Sequence, residues 1–500
     1  MWWRVPAILV SAAGYCAAFP PWSLPGVAWV ALVPLLLALH GLRPGRAAAA
    51  GFLWGTATLS GIGYWVPGAL AYYWEQPYWF GFSFALGVAF VFMGTYFAAF
   101  GAAYARLATC RRGATLALAT AATYVACELA RAHLLTGHPW LLLGYALVPQ
   151  PLLVQAADLG GVYLLSFAVA LVNAGLAAAL VEPAGRRGAL AAAATALAAL
   201  AAYGAVRLRT PLPIAPAVPV MVVQGNVDLG FQWREDFYGQ GLDRYLQLTL
   251  DGAARSHPQL VVWPESAVTF FLDEEPLYLA AIADVLARTG ADLVVGGPRR
   301  TGAPSRFYNA AFHLTPDGTL GDHYDKVRLL PFAEYFPLRT IELLRRRFER
   351  VRHFTAAETP TMLRTRFGDV ATVICFEAIF PEGVRAQTAA GAQLLVNLSN
   401  DGWFGRTAGS DQHLTMVALR AVEARLWVVR ATTTGVSAIV DPFGRIVARA
   451  PLFTATTLDA QVVPMAVTTV YERVGDAFAW GCVVVALAAL LTPRRRGHAG

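Results

Sequence analysis

Lysine is almost absent from this chain. Among its 500 residues Lys and Arg together number 39, and only Lys326 is a lysine. Carboxylates are scarce in the N-terminal part. Before residue 207 there are Glu75, Glu128, Asp158 and Glu182, and 478–492 has none. Only 14% of residues are charged and 57% are hydrophobic, with a mean hydropathy of +0.49. That balance excludes an ordinary soluble protein. Cysteine is also rare. Cys16, Cys110, Cys127 and Cys482 lie in or beside apolar segments, where a free thiol behaves as a small hydrophobe. Cys375 stands alone in the polar part, so no disulfide is available there and a lone nucleophilic thiol is a candidate. There is no H-E-x-x-H and no C-x-x-C, and Gly296-Gly297-Pro298 is no phosphate-binding loop. No metal, nucleotide or other cofactor is expected.

What fills the rest is apolar sequence. Runs near 5–20, 26–41, 47–67, 80–105, 113–133, 160–181, 188–206 and 474–492 mostly approach the ~20 residues that cross a bilayer. They predict a seven-span domain over 1–209, a globular domain over 210–470, and a last span with a basic cytoplasmic tail over 471–500. A cleaved signal peptide at 1–20 is the weaker reading, because Arg4 alone precedes the run and further spans follow at once. The net charge of +7 does not point to nucleic acid, since the arginines gather at the ends of apolar runs. Arg4, Arg43, Arg46, Arg106, Arg111, Arg112, Arg186, Arg187 and Arg494–Arg496 mark alternate loops, while 21–25 and 68–79 have no Lys or Arg. By the positive-inside rule both termini are cytoplasmic and 210–470 lies outside; Arg207 and Arg209 run mildly against this. Glu128 and Arg131 share a helix face inside the apolar part, as a packing pair or as a functional one.

The globular stretch opens with the Pro-rich linker 210–216. Strand-like runs at 218–224, 260–263, 293–296, 371–375, 394–398 and 435–440 are interspersed with helical patterns near 238–256, 276–289, 380–390 and 411–425. Such a pattern predicts an α/β sheet domain, with a hairpin turn at Asp441-Pro442-Phe443-Gly444. His313, His323 and His413 read as surface or core residues. Over 337–353, Ile341, Leu344, Phe348 and Val351 share one helical face among arginines. That predicts either a membrane-surface helix or an ordinary solvated one.

Two β-branched runs end in reactive side chains: Val261-Val262-Trp263-Pro264-Glu265 and Val373-Ile374-Cys375-Phe376-Glu377. The lone lysine lies between them in Tyr324-Asp325-Lys326. On its own it reads either as a residue of compositional drift or as a place where a planar guanidinium cannot serve. Glu, Lys and Cys in this order, with these flanks, resemble the nitrilase (carbon–nitrogen hydrolase) superfamily. With seven spans before the domain and one after, the whole chain resembles the bacterial apolipoprotein N-acyltransferase family. Further matches are Phe19-Pro20-Pro21-Trp22, 27–35, Glu128 with Arg131, Thr136-Gly137, Pro139-Trp140-Leu141, Gln224-Gly225-Asn226, Tyr308-Asn309, 326–334 and 400–405.

The resemblance implies a polytopic helical membrane domain of about eight spans joined to a nitrilase-like α-β-β-α sandwich. It implies Cys375 as nucleophile, Glu265 as general base and Lys326 as the cation that lowers the thiol pKa and stabilises an oxyanion. Supporting roles fall to Glu334, Phe376, Glu377, Trp233 and Asn309. Phe332, Tyr335, Phe336 and Trp233 are candidates for keeping water from the site. The implied reaction moves an acyl chain from a phospholipid donor, through a Cys375 thioester, to the N-terminal amine of a diacylglyceryl apolipoprotein. The expected enzyme is a monomer in the inner membrane with its catalytic domain periplasmic. Two departures from the family's pattern stand out: Thr432-Thr433-Thr434 where one or two Asn are expected, and Phe376 in place of a frequent Tyr. Two other readings use the same residues: a membrane-tethered amidase or nitrilase hydrolysing a C–N bond, and a non-enzymatic transporter or scaffold with a nitrilase-like sensing domain.

Overall fold

A computed structural model of the chain describes residues 2–227, 237–302, 305–337, 346–347 and 353–491. Trp233 and most of the expected 337–353 helix lie outside the described residues. The chain divides into two units. One comprises 1–67, 78–210 and 474–500; the other comprises 68–77 and 211–473. The Lys- and Arg-free segment 68–77 thus belongs with the second unit, although it lies between two apolar runs.

The first unit is helical. Among the described residues four helices are long and apolar enough to cross a membrane: Tyr78–Cys110, Gly113–His133, Ala157–Val181 and Pro183–Arg209. Arg4–Ala17, Pro25–Leu39 and Ala477–Leu491 are apolar but shorter. The helix Pro44–Ile62 packs backbone to backbone against the 78–110 helix. A Cβ added at Gly51 would stand 2.0 Å from the Phe97 carbonyl oxygen, and one at Gly55 2.6 Å from that of Met93. Small residues four apart allow this approach, the usual way apolar helices associate where no hydrophobic driving force separates them from lipid. The Glu128–Arg131 face is fully buried. Glu128 Oε1 accepts from Leu143 N at 2.7 Å, and Arg131 Nη2 donates to the Trp140 carbonyl at 3.1 Å. These contacts anchor the loop after the Gly113–His133 helix, as the packing reading expects.

The described residues of the second unit hold twelve strands: β1 Val218–Gln224, β2 Leu260–Val262, β3 Asp292–Thr301, β4 Arg306–Leu314, β5 Leu320–Asp325, β6 Leu363–Thr365, β7 Gly368–Ile374, β8 Leu394–Ser399, β9 Val428–Thr432, β10 Ala438–Val440, β11 Ile446–Arg449 and β12 Thr456–Val462. They form two six-stranded sheets, ordered β12-β1-β2-β3-β4-β5 and β11-β10-β9-β8-β7-β6. Strand periodicity assigns the faces. Val220, Val222, Leu260 and Val262 meet Val370, Ile374, Val396 and Leu398 in a core between the sheets. Met221, Val223 and Val261 point the other way, onto Leu242, Tyr245, Ile282 and Leu286 of the helices Tyr238–Ser256 and Pro276–Thr289. The helices Pro381–Ala389 and Gly409–Ala424 pack against the second sheet. The α/β expectation resolves as an α-β-β-α sandwich.

One predicted strand is shorter than expected. The run 435–440 pairs only over Ala438–Val440. Its first residues are spent on side-chain bonds instead: Val436 N donates to Ser410 Oγ at 2.8 Å, and Ser437 Oγ to Gln224 Oε1 at 2.7 Å. The turn at 441–444 joins β10 to β11. Asp441 Oδ1 accepts from Phe443 N and Arg445 N, both at 2.9 Å, and Gly444 takes the left-handed conformation.

Candidate active site

Three strand ends supply the candidate reactive side chains. Glu265 follows β2 by three residues, Lys326 directly follows β5, and Cys375 directly follows β7. All three are buried, Lys326 to 1% exposure, although long amines are almost never fully buried without partners. Its partners are carboxylates. Lys326 Nζ donates to Glu334 Oε1 at 2.9 Å and lies 3.7 Å from Glu265 Oε1. Asn309 Nδ2 donates to Glu265 Oε1 at 2.7 Å and to Glu334 Oε1 at 2.8 Å, so one amide fixes both acids. The remaining oxygens are held by backbone: Asn400 N donates to Glu265 Oε2 and Leu330 N to Glu334 Oε2, both at 2.7 Å.

Cys375 sits on a sharp turn between β7 and the short helical turn Cys375–Ile379, with φ of 51°. A side-chain-bearing residue in the left-handed region costs about 1–2 kcal/mol, so the surroundings must hold it there. Glu377 does much of this. Its carboxylate accepts from Ile374 N at 2.8 Å, Val327 N at 2.7 Å, Arg328 N at 2.9 Å and the Tyr324 hydroxyl at 2.9 Å. One side chain thereby ties the Cys375 turn to the segment that carries Lys326.

Electrostatics set the resting protonation. Burial pushes the Glu265 carboxyl above the usual carboxylate range; the Lys326 ammonium opposes this and the Glu334 carboxylate adds to it. Burial alone would lower the Lys326 ammonium, but Glu334 and Glu265 more than reverse that, and it stays charged. Burial and then Glu265 push the Cys375 thiol up, with Lys326 pulling in the opposite sense. The expectation that Lys326 lowers the thiol pKa is met in direction only. Burial and Glu265 outweigh it, so the resting group is a thiol with a carboxylate and an ammonium at hand, not a preformed thiolate.

Of the supporting residues, Asn309, Glu334 and Glu377 all contact this constellation. Phe376 does not join it; it is half-buried against Phe380, ring centroids 5.0 Å apart, and Arg328 lies over Phe380. Phe332 packs edge-on against Phe336 at 5.6 Å. The threonine departure is accommodated locally. Thr433 Oγ1 donates to the Glu265 carbonyl at 3.4 Å, and its own carbonyl accepts from Asn226 N at 2.8 Å. From 68–77, Tyr73 and Trp74 pack on Trp403 with centroids 4.2 and 5.1 Å away.

Sequence reasoning missed a group behind Cys375. Asp401, His413 and Arg430 are all buried, and His413 Nε2 lies 3.2 Å from the Cys375 carbonyl oxygen. A guanidinium within the apolar strand Val428-Val429-Arg430-Ala431 was the available signal.

Known proteins are similar to this chain over most of its length. The sequence profile of the carbon–nitrogen hydrolase family matches residues 220–471, which places the second unit among the carbon–nitrogen hydrolases. The profile of the apolipoprotein N-acyltransferase N-terminal domain matches residues 11–175. An apolipoprotein N-acyltransferase of Geobacter metallireducens is 35% identical over 491 residues, covering 96% of this chain and 93% of its own. One from Bradyrhizobium diazoefficiens is 34% identical over 532 residues, covering 99% and 95%. A crystallised amidase from Nesterenkonia sp. shares 18% identity over 54% of this chain and 98% of its own, with a TM-score of 0.41. The chain belongs to the apolipoprotein N-acyltransferase family. It is therefore an acyltransferase carried in the bacterial inner membrane.

Proposed function

We propose that this enzyme transfers a fatty acyl chain from a phospholipid to the N-terminal α-amine of a diacylglyceryl-cysteine in an apolipoprotein, through a thioester on Cys375. The observation that supports the mechanism is the buried cluster that places Glu265 3.7 Å from Lys326, with both close enough to shift the Cys375 thiol. In the first half-reaction Glu265 takes the thiol proton as sulfur attacks the ester carbonyl. The carbon–oxygen bond breaks, and Glu265 returns the proton to the lysophospholipid oxygen. Lys326 and backbone N–H groups after Cys375 stabilise the tetrahedral oxyanion. In the second, the amine nitrogen attacks the thioester carbonyl, Glu265 accepts its proton and passes it to the sulfur as the carbon–sulfur bond breaks, which restores the thiol and the base. A carboxyl held above its usual range suits a group that must both accept and return a proton near neutral pH. Asn309 and Glu334 orient Glu265 and Lys326, and Glu377 holds the turn. Because every group in this cluster comes from one chain, a monomer is sufficient.

The membrane arrangement in this reading is seven spans over 1–209, the catalytic domain over 210–470 on the periplasmic side, and an eighth span over 471–500. The arginine distribution supports it. A reporter active only in the cytoplasm, fused after residue 230, is expected to be silent, and one fused after the C-terminus active. Cytoplasmic activity of the first fusion would reverse the orientation and remove access to exported substrates.

Product analysis tests the function itself. Purified enzyme given phospholipid and a diacylglyceryl-cysteinyl peptide should yield one lysophospholipid per N-acylated peptide. Steady release of free fatty acid without the peptide would instead make the protein a hydrolase.

A further inference from the structure

Behind the reactive cluster lies a second buried polar group that the chemistry above does not use. His413, on the helix Gly409–Ala424, is 1% exposed, and Asp401 and Arg430 are equally enclosed. The two ring nitrogens of His413 face different partners. Nε2 is 3.2 Å from the carbonyl oxygen of Cys375; Nδ1 is 3.2 Å from Arg430 Nη2 and 3.2 Å from Asp401 Oδ1. A carbonyl oxygen can only accept, so Nε2 must carry the proton. At Nδ1 a donor, the Arg430 guanidinium, and an acceptor, the Asp401 carboxylate, stand equally close. Burial and then Arg430 hold the imidazole below its ordinary pKa, against the opposing pull of Asp401. Asp401 is held by further donors. It accepts from Ser399 Oγ at 2.7 Å, Ser410 Oγ at 2.5 Å and Arg430 Nη2 at 2.5 Å. Arg430 is further fixed by Asn397, which reaches back to the carbonyl of Val373 in β7 at 3.1 Å.

We propose that His413 is a positioning residue: its Nε2–H donates to the Cys375 carbonyl and, braced by Asp401 and Arg430, fixes the peptide that carries the nucleophile. The Cys375 carbonyl and the Phe376 N–H belong to one planar peptide unit. Holding the oxygen on the His413 side therefore aims that N–H, the first backbone donor after the nucleophile, away from it. The same bond holds Cys375 in its left-handed conformation from one side while Glu377 holds the neighbouring peptide from the other. Gly435 completes the enclosure. A Cβ there would stand 2.3 Å from Asp401 Cβ and 2.7 Å from Ser410 Oγ, so only glycine leaves Asp401 where it is.

The inference rests on Cys375 being the acylated residue, and the test keeps the two apart. Full-length enzyme in detergent is mixed with excess phospholipid, and the rate of acyl adduct formation on Cys375 is followed by mass spectrometry. His413→Gln can present its amide N–H where Nε2–H stood, whereas His413→Asn is too short to do so. His413→Gln should acylate within a few-fold of wild type. His413→Asn should be slower by ~10²-fold, the scale of a small misplacement of reacting groups, with an unchanged dependence on phospholipid concentration. Equal rates for the two folded variants would reduce His413 to packing and overturn the proposal. Should His413→Asn be recovered unfolded, Gly435→Ala decides: it displaces Asp401 without altering His413 or Cys375, and a wild-type acylation rate would overturn the proposal. No adduct in the wild-type enzyme would instead sink the thioester reading and not this one alone.

Discussion

Replacing Cys375 with serine is expected to leave a folded enzyme whose turnover falls by at least ~10³-fold, in line with the loss of a nucleophile in other acyl-transfer enzymes. The exchange is nearly isosteric, and Cys375 is in no disulfide. Little stability is at stake. The chemistry is another matter. Burial already pushes the thiol up, and the proton must leave during attack with Glu265 as the nearby acceptor. A serine hydroxyl is far less acidic, and among the described residues no base–histidine pair stands on that side. His413 presents its ring to the Cys375 carbonyl. Activity assays alongside thermal unfolding check this. A serine enzyme within ten-fold of wild type would mean that acylation does not pass through residue 375.

Lys326→Arg carries the second large effect. The charge is kept, so a purely electrostatic role would survive the exchange. The space is not. Lys326 is buried, with Nζ 2.9 Å from Glu334 and 3.7 Å from Glu265, both acids being tied down by Asn309 and backbone amides. A compact ammonium can sit between two fixed carboxylates and still face a forming oxyanion. A planar fork would satisfy the carboxylates in its own plane and leave no donor aimed elsewhere. The expected loss in kcat is about 10²–10³-fold, or roughly 2.7–4 kcal/mol, the value of one oxyanion donor. Measuring kcat and KM separately checks it, since the loss should fall on kcat. Removing the charge altogether, as in Lys326→Met, should also cost stability of about 3–5 kcal/mol, because it leaves two buried acids facing each other. Near-normal turnover of Lys326→Arg would return the lone lysine to compositional drift.

Much of this was legible in the sequence because it lay in local patterns. The apolar runs at 218–224, 260–263 and 394–398 read as buried strands, and each holds one. Strands β5 and β12 were missed because they read as polar: Leu320–Asp325 holds His323 and two aspartates, and Thr456–Val462 is largely threonine, Asp459 and Gln461. Sheet-edge strands half open to solvent do not alternate strongly enough to be seen in one chain. For the site, Glu265, Lys326 and Cys375 announced themselves by scarcity and flanks. The bonds that organise them did not. Asn309 holding two acids, and Glu377 holding the Val327 and Ile374 amides, join residues 44 and 50 apart or come from a backbone turn, and no spacing rule covers either. His413 was legible only as a core or surface histidine, which its burial satisfies; its partners come from three separate elements.

The account depends most on the claim that an acyl chain rests on Cys375 between donor and acceptor. Intact-protein and peptide mass spectrometry of full-length wild-type enzyme, incubated with phospholipid alone, tests it directly. The account predicts one acyl chain per enzyme, mapped to Cys375, with about one equivalent of lysophospholipid released in a burst that then nearly stops. Adding a diacylglyceryl-cysteinyl peptide should discharge the adduct and leave the same chain as an amide on the peptide. An unmodified Cys375 in enzyme that nevertheless transfers acyl chains to the peptide would contradict it.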